Sequence, residues 1–314
     1  MNAYKVWRLC TGVLVLGGMT LGAARAADEA KGAPLKPTVA DVIKASKPAE
    51  WRPLDPDNTL YMDLPSGRVV IEMAPTFAPN HVDNIRLMTR NHYFDGLAII
   101  RSQDNWVVQW GDPDEEKNPR PLKDAKAKLA GEFTVPLKND KSFTRMPDRD
   151  GYAAQVGHSN GFPAAHDPKT GRAWLTHCYG MVGVGRDNDA DSGNGSSLYV
   201  VIGHAPRHLD RNVTLVGRVI DGMSLLSTLP RGPAPMGFYD KPEMNVPIKL
   251  MRLAADVPAA ERSNFEVMRT DSASYAAVVE AQRNRSGPWN KVAAGYIELC
   301  NAPIPVRPVK AAAP

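Results

Sequence analysis

The sequence predicts a mainly β protein, built as a barrel or a sandwich. From residue 58 onward, short runs rich in β-branched and aromatic residues alternate with Gly, Pro, Asn and Asp turns. Only two segments of this core have a helical period, and regular strand–helix–strand alternation is absent. The 314 residues are 43% hydrophobic, which suffices for one core of about 200 residues with extensions.

The first half of the core predicts a hairpin, a helix and two further strands. LYMDL and RVVIEM flank a turn at Pro65, Ser66 and Gly67. A helix is expected to begin at Pro79, followed by an apolar stripe at helical spacing. YFDGLAIIR and NWVVQWGDP then have the residue types of strands.

The second half of the core begins with a long polar region. Residues 114–176 are rich in Gly and Pro and predict only short strands, at GEFTVPL and YAAQV. Three stronger strands are expected at YGMVGVG, SSLYVVIGH and VTLVGRVI. A short helix at DGMSLLSTL and a last strand at VPIKLMRLA complete the core.

The termini differ from the core in composition. Residues 1–26 combine basic residues, a short apolar run and an Ala-Arg-Ala site, which is typical of a cleaved signal peptide. Residues 27–57 are predicted to be a tether with a short helix at DVIKAS. Residues 258–314 are predicted to be a helical extension, with a helix that begins at Asp271 or Ser272 and ends at Gly287.

Charge and cysteine content limit the function classes. Cleavage after residue 26 leaves 35 basic and 34 acidic residues, a net charge of +1, so no nucleic-acid partner is expected. Export without a further apolar segment predicts no stable membrane insertion once the signal peptide is removed. The remaining cysteines, Cys178 and Cys300, form one disulfide in an oxidising compartment or stay as two unpaired thiols.

Two short motifs suggest other chemistry. GHSNG matches the G-x-S-x-G pattern of serine hydrolases, with Ser159 as the nucleophile, but no helical segment follows it. DNDADSGNG resembles a calcium loop but has Ser192 and Leu198 where that loop needs Gly and Glu. We therefore expect no metal site and retain the serine hydrolase as an alternative.

The WVVQW strand carries a polar residue among apolar ones. Regular alternation places Trp106, Val108 and Trp110 on one face and Val107 and Gln109 on the other. Arg101 stands shortly before this strand. An arginine and a glutamine near one apolar strand require an explanation.

The order of these segments resembles that of the cyclophilin-type peptidyl-prolyl isomerases. The resemblance rests on GRVVIEMAPTFAPNHVDNIRLM, YFDGLAIIR, WVVQWGDP, GMVGVGRDNDADSGNGSSLYVVIG and HLDRNVTLVGRVIDGM. It implies an isomerase domain over residues 58–257, folded as a closed eight-stranded antiparallel barrel capped by two helices. The helical extension would then follow the barrel.

The resemblance also implies roles for particular residues. Arg101 and Gln109 would be the catalytic pair on the outside of the barrel. The substrate-binding residues would be Trp106, Val107, Gly185, Arg186, Tyr199, His208 and Leu209. Ser197 replaces a Gln that is usual in the family, and is expected to shorten or lose a polar contact. His208 stands where members that bind cyclosporin tightly have Trp.

The predicted function is therefore that of a peptidyl-prolyl cis-trans isomerase that needs no cofactor. We expect a periplasmic or secreted enzyme whose partners are proline-containing polypeptides of the cell envelope. Two alternatives stay open, namely a cyclophilin-fold binding or chaperone module with little turnover and, more remotely, the serine hydrolase.

Overall fold

A computed structural model describes residues 36–137 and 143–309, so the predicted signal peptide lies outside the described residues. The main body is one antiparallel sheet of nine strands. In ladder order the strands are β14 (Val246–Pro247), β4 (Ala98–Ser102), β5 (Val107–Gly111), β12 (Leu198–Val201), β11 (Met181–Val184), β13 (Leu215–Asp221), β3 (Gly67–Met73), β2 (Thr59–Leu64) and β15 (Leu250–Leu253).

The mainly β fold is confirmed, but the closed eight-stranded barrel is not, because this sheet has nine strands and is open. The segment expected to form one last strand divides after Pro247 into β14 and β15, which occupy opposite edges. Between them, the Ile248 N–H donates to the Leu97 carbonyl and the Lys249 N–H donates to the Asp63 carbonyl, at 2.7 and 2.8 Å. Residues 248 and 249 therefore connect the two edges of the sheet, at the place where direct pairing between two strands was expected.

Two helices pack on the core that this sheet encloses, as the sequence predicted. Helix α2 (Pro79–Arg90) begins at a proline, which suits a first helical position because its missing N–H is not needed there. Helix α3 (Met223–Ser227) follows β13. Val82, Ile85 and Met88 of α2 are almost fully buried in the core, as is Leu226 of α3.

The polar middle region contains a second sheet, of which the sequence predicted only short strands at GEFTVPL and YAAQV. Its five strands, in ladder order, are β6 (Val135–Pro136), β10 (Arg172–Leu175), β9 (Phe162–Asp167), β8 (Gln155–Ser159) and β7 (Phe143–Arg145). Asn160 and Gly161 connect β8 to β9 with φ of 50° and 85°. A two-residue Asn-Gly turn with two positive φ angles is the favoured connection of a β-hairpin.

Segments near the two ends of the described chain form a third, three-stranded sheet. It consists of β1 (Trp51–Pro53), β16 (Phe265–Met268) and β17 (Val306–Pro308). Helix α1 (Val39–Ala45) packs on helix α4 (Ala273–Arg283), which begins after Ser272. Residues 36–57, the described part of the expected tether, therefore belong to a folded unit together with the C-terminal extension.

The second and third sheets share one apolar core that is separate from the core of the main sheet. We call this part of the molecule the appended unit. Cys178, which precedes β11, forms a disulfide with Cys300 of the C-terminal extension. Among residues 36–137 and 143–309, no helix combines the length and hydropathy needed to cross a membrane.

Candidate active site

A β-bulge brings Arg101 and Gln109 together. Ile99 pairs with Trp110 and Arg101 pairs with Gln109, so Ile100 is an extra residue on β4. Without the bulge, Arg101 would share a face with Ile99, which is fully buried in the core. The extra residue moves Arg101 to the outer face of the sheet, where Gln109 also lies.

Trp106 lies on the same outer side, contrary to the alternation expected for WVVQW. Strand β5 begins at Val107, so Trp106 belongs to the preceding turn and the two-residue period does not apply to it. Val108 and Trp110 face the core as expected. Trp106 and Val107 form a small apolar cluster with Tyr199, separate from the core.

These residues line one groove on the outside of the main sheet, with a volume of about 740 Å³. Arg101, Gln109 and Tyr199 stand in a row across β4, β5 and β12, because Gln109 pairs with both neighbours. The complete lining is Arg101, Trp106, Val107, Gln109, Glu115, Glu116, Val184, Gly185, Arg186, Asp187, Ser192, Ser196, Ser197, Tyr199, Leu209, Val213, Met236 and Phe238.

The guanidinium of Arg101 is held from three sides. Its Nε donates to the Met236 carbonyl at 2.6 Å and Nη1 donates to Gln109 Oε1 at 3.0 Å. Its Nη2 donates to Gln103 Oε1. Burial lowers the pKa of Arg101 from its ordinary value, but arginine stays protonated in proteins. The result is a fixed cation with two further N–H groups.

Gln109 is oriented at both ends of its amide. Its oxygen accepts from Arg101, and its Nε2 donates to Ser197 Oγ at 3.0 Å. The sequence did not predict this contact, in which the Ser197 hydroxyl accepts from the amide of Gln109. The polar row across the groove runs from Arg101 through Gln109 to Ser197.

Comparison with known proteins assigns the family. The model of the family "Cyclophilin type peptidyl-prolyl cis-trans isomerase/CLD" matches residues 59–253, more than half of the chain. The chain belongs to the cyclophilin-type peptidyl-prolyl cis-trans isomerases. It is an isomerase that acts on proline-containing polypeptides.

Relatives and one solved structure agree with this assignment. A probable peptidyl-prolyl cis-trans isomerase of Brucella suis is 26% identical over 179 residues, covering 57% of this chain and 74% of the relative. A human peptidyl-prolyl cis-trans isomerase-like 3 is 24% identical over 198 residues, covering 63% and 96%. The crystal structure of a cyclophilin from Hirschia baltica superposes with a TM-score of 0.66 at 25% identity, covering 87% of this chain and 98% of that one.

The sequence did not predict one wall of this cyclophilin groove. Residues 230–240, which we call the rim loop, pair with the edge of β4 through an isolated bridge between Arg101 and Phe238. The Phe238 ring lies 4.8 Å from the Arg101 guanidinium carbon. Phe238 and Met236 are nevertheless 41% and 51% exposed. The rim loop therefore presents apolar surface to a peptide beside Arg101.

The opposite end of the groove is acidic. Glu115, Glu116 and Asp187 line it together with Arg186. Burial, with the neighbouring acidic groups, raises the pKa of Glu115 above its ordinary value. Arg186 Nε donates to the Asn212 carbonyl at 2.9 Å, which fixes this side chain at the groove edge.

One predicted substrate-binding residue lies outside the groove lining. His208 is exposed and stacks on the indole of Trp106, with ring centroids 5.5 Å apart. Gly185, Arg186 and Leu209 line the groove as the resemblance implied. His208 is therefore exposed beside the Trp106 wall, and its role as a substrate contact stays a prediction.

The serine-hydrolase alternative is not supported. Ser159 ends β8 and is followed by a hairpin to β9, whereas a nucleophile elbow requires a strand, a sharp turn and a helix. Its side chain is 1% exposed. Across the described part of the chain, no three His, Cys, Asp or Glu side chains converge as a metal site would require.

Proposed function

We propose that Arg101 accelerates rotation about an X–Pro bond by donating a hydrogen bond to the prolyl nitrogen. The amide resonance of this bond gives a barrier of about 18–20 kcal/mol. Twisting the bond localises a lone pair on nitrogen, so a donor aimed there favours the twisted state over both planar ones. Three of the five guanidinium N–H groups are used by described residues, which leaves two for the substrate.

The rest of the groove is proposed to bind the peptide. The apolar cluster of Trp106, Val107 and Tyr199 would hold the proline ring, with Leu209 beside it. Gln109 would hold Arg101 in position and contact a flanking carbonyl. The observation that carries this proposal is that the bulge in β4 places Arg101 beside the apolar pocket, so that both lie in one groove.

The test is an isomerisation assay with peptides that contain an Ala-Pro or Phe-Pro bond. The account predicts acceleration of cis-to-trans conversion by wild-type enzyme and competition by unlabelled proline peptides. A second candidate is a binding module with little turnover, and its one supporting observation is that Met236, Gln103 and Gln109 already accept from three N–H groups of Arg101. Peptide binding without acceleration would select that candidate.

We further propose that the enzyme is exported and assists folding in the cell envelope. Two observations support this: the signal-peptide features of residues 1–26 and the pairing of Cys178 with Cys300. Disulfides persist in oxidising compartments such as the periplasm. Cell fractionation with intact-mass analysis tests the proposal. A full-length, reduced protein in the cytoplasmic fraction would contradict it.

A further inference from the structure

A buried polar chain begins at the Tyr199 wall of the groove. The Tyr199 hydroxyl lies 2.9 Å from His177 Nε2, and His177 Nδ1 lies 2.9 Å from Asp210 Oδ1. The His177 backbone N–H also donates to Asp210 Oδ1, at 2.9 Å. Nδ1 donates to the Asp210 carboxylate, and in the neutral imidazole Nε2 then accepts the hydroxyl hydrogen of Tyr199. The Tyr199 hydroxyl therefore has a fixed partner.

The chain continues into the polar middle region. Arg207 Nε donates to Asp210 Oδ2 at 2.6 Å, and its two terminal nitrogens donate to Asp150 at 2.9 and 3.1 Å. The side chains of Arg207 and Asp150 are each 2% exposed. Charged groups removed from water are costly unless every partner is in place, so the chain favours one arrangement.

Two neighbouring features connect this polar chain to the groove. Gly183 pairs with Tyr199 across β11 and β12, and a Cβ at Gly183 would overlap the tyrosine ring and hydroxyl. The absence of a side chain there makes room for the ring. Arg207 also begins the short 3₁₀ helix Arg207–Leu209, whose last residue lines the groove. Tyr199 and Leu209 are thus tied to one network.

We infer that His177 is a positioning residue, which holds Tyr199 by its hydroxyl and so fixes the proline-ring wall of the groove. His177 is held in turn by Asp210, Arg207 and Asp150. Because Asp150 belongs to the polar middle region, this region supports the substrate pocket. The inference rests on the proposed role of Tyr199 in binding the ring. A wall that grips the ring acts on ground and transition states alike, so its loosening raises KM and leaves kcat nearly unchanged.

A double-mutant cycle of His177→Gln and Tyr199→Phe tests this coupling. We expect each single variant to raise KM by roughly 3- to 10-fold, with kcat within about twofold of wild type. The KM of the double variant should exceed that of Tyr199→Phe by less than about twofold. His158→Gln is the matched control. His158 is a buried histidine that bonds another tyrosine, Tyr275, at 3.0 Å, away from the groove. The His158→Gln variant should have a lower melting temperature and an unchanged KM.

Long-range ¹H–¹⁵N spectra supply a second readout in the wild-type protein. They should show His177 protonated at Nδ1 and unprotonated at Nε2. The inference is overturned if folded His177→Gln keeps the wild-type KM, or if it raises KM equally with and without the Tyr199 hydroxyl. If His177→Gln does not fold, an unchanged KM in Tyr199→Phe also overturns it. Inactive wild-type enzyme would instead refute the proposed function.

Discussion

Replacing Arg101 by Ala should nearly abolish isomerisation while the groove still binds peptide. Removal of one donor aimed at charge that develops in a transition state costs about 10²–10³ in rate. That factor corresponds to about 2.7–4.1 kcal/mol of barrier. A 10⁴-fold acceleration would require about 5.5 kcal/mol, so the pocket and Gln109 must supply the remainder.

The binding walls do not depend on Arg101, so the dissociation constant of a proline peptide should rise far less than kcat falls. Trp106, Val107 and Tyr199 form their own apolar cluster beside it. The substitution also leaves Gln109 Oε1 and the Met236 carbonyl without their arginine donor. Because the groove is open to water, we expect a stability loss of only about 1–2 kcal/mol.

Two further variants sharpen this experiment. Arg101→Lys keeps the charge but replaces the planar fork by one flexible ammonium, and should lose most of the activity as well. Arg262→Ala is the matched control, because Arg262 also donates to backbone carbonyls, those of Val257 and Ala255, without lining the groove. The reasoning is refuted if folded Arg101→Ala keeps kcat/KM within threefold of wild type in the peptide assay.

Three other perturbations have defined outcomes. Ser197→Ala removes the hydroxyl that accepts from the Gln109 amide. It should lower kcat/KM by roughly 2- to 10-fold, because one hydrogen bond contributes about 0.5–1.5 kcal/mol. An unchanged kcat/KM would show that Gln109 does not need this support. Cys300→Ser removes the disulfide to Cys178, which links residues 122 positions apart. It should lower the free energy of unfolding in urea by up to about 5 kcal/mol. An unchanged midpoint of urea unfolding would contradict a stabilising disulfide. Burial lowers the pKa of His158 to about 3, so the unfolded chain binds a proton that the folded one excludes between pH 6.5 and 3. Stability should therefore fall as pH falls through this window, by up to about 1.4 kcal/mol per pH unit, and the slope should flatten in His158→Gln.

The resemblance in the order of segments implied most of the groove lining, and local residue patterns predicted the strands that carry it. Strand alternation did not place the lining residues correctly in every case, since it assumes an unbroken strand. The bulge at Ile100 and the start of β5 after Trp106 both break that assumption. Ile99 and Trp110 are nevertheless paired with each other and buried in the core.

Other features depended on contacts between distant segments. The rim loop, with Met236 and Phe238, has no local pattern that points to Arg101, which lies more than a hundred residues earlier. The second sheet had one overlooked signal, the Asn160-Gly161 turn of a hairpin. Residues 36–57 showed a short helix but no sign of their pairing with β16, because antiparallel partners far apart in sequence share no spacing.

The central claim is that catalysis takes place in the groove that holds Arg101. Exchange NMR on an Ala-Pro peptide with isotope-labelled enzyme tests both parts of that claim in one sample. The account predicts cis–trans exchange peaks of the peptide at substoichiometric enzyme, together with shifts of the Trp106 indole and Arg101 Nε resonances on titration. Exchange peaks without shifts at Trp106 and Arg101, or shifts there without exchange, would contradict it.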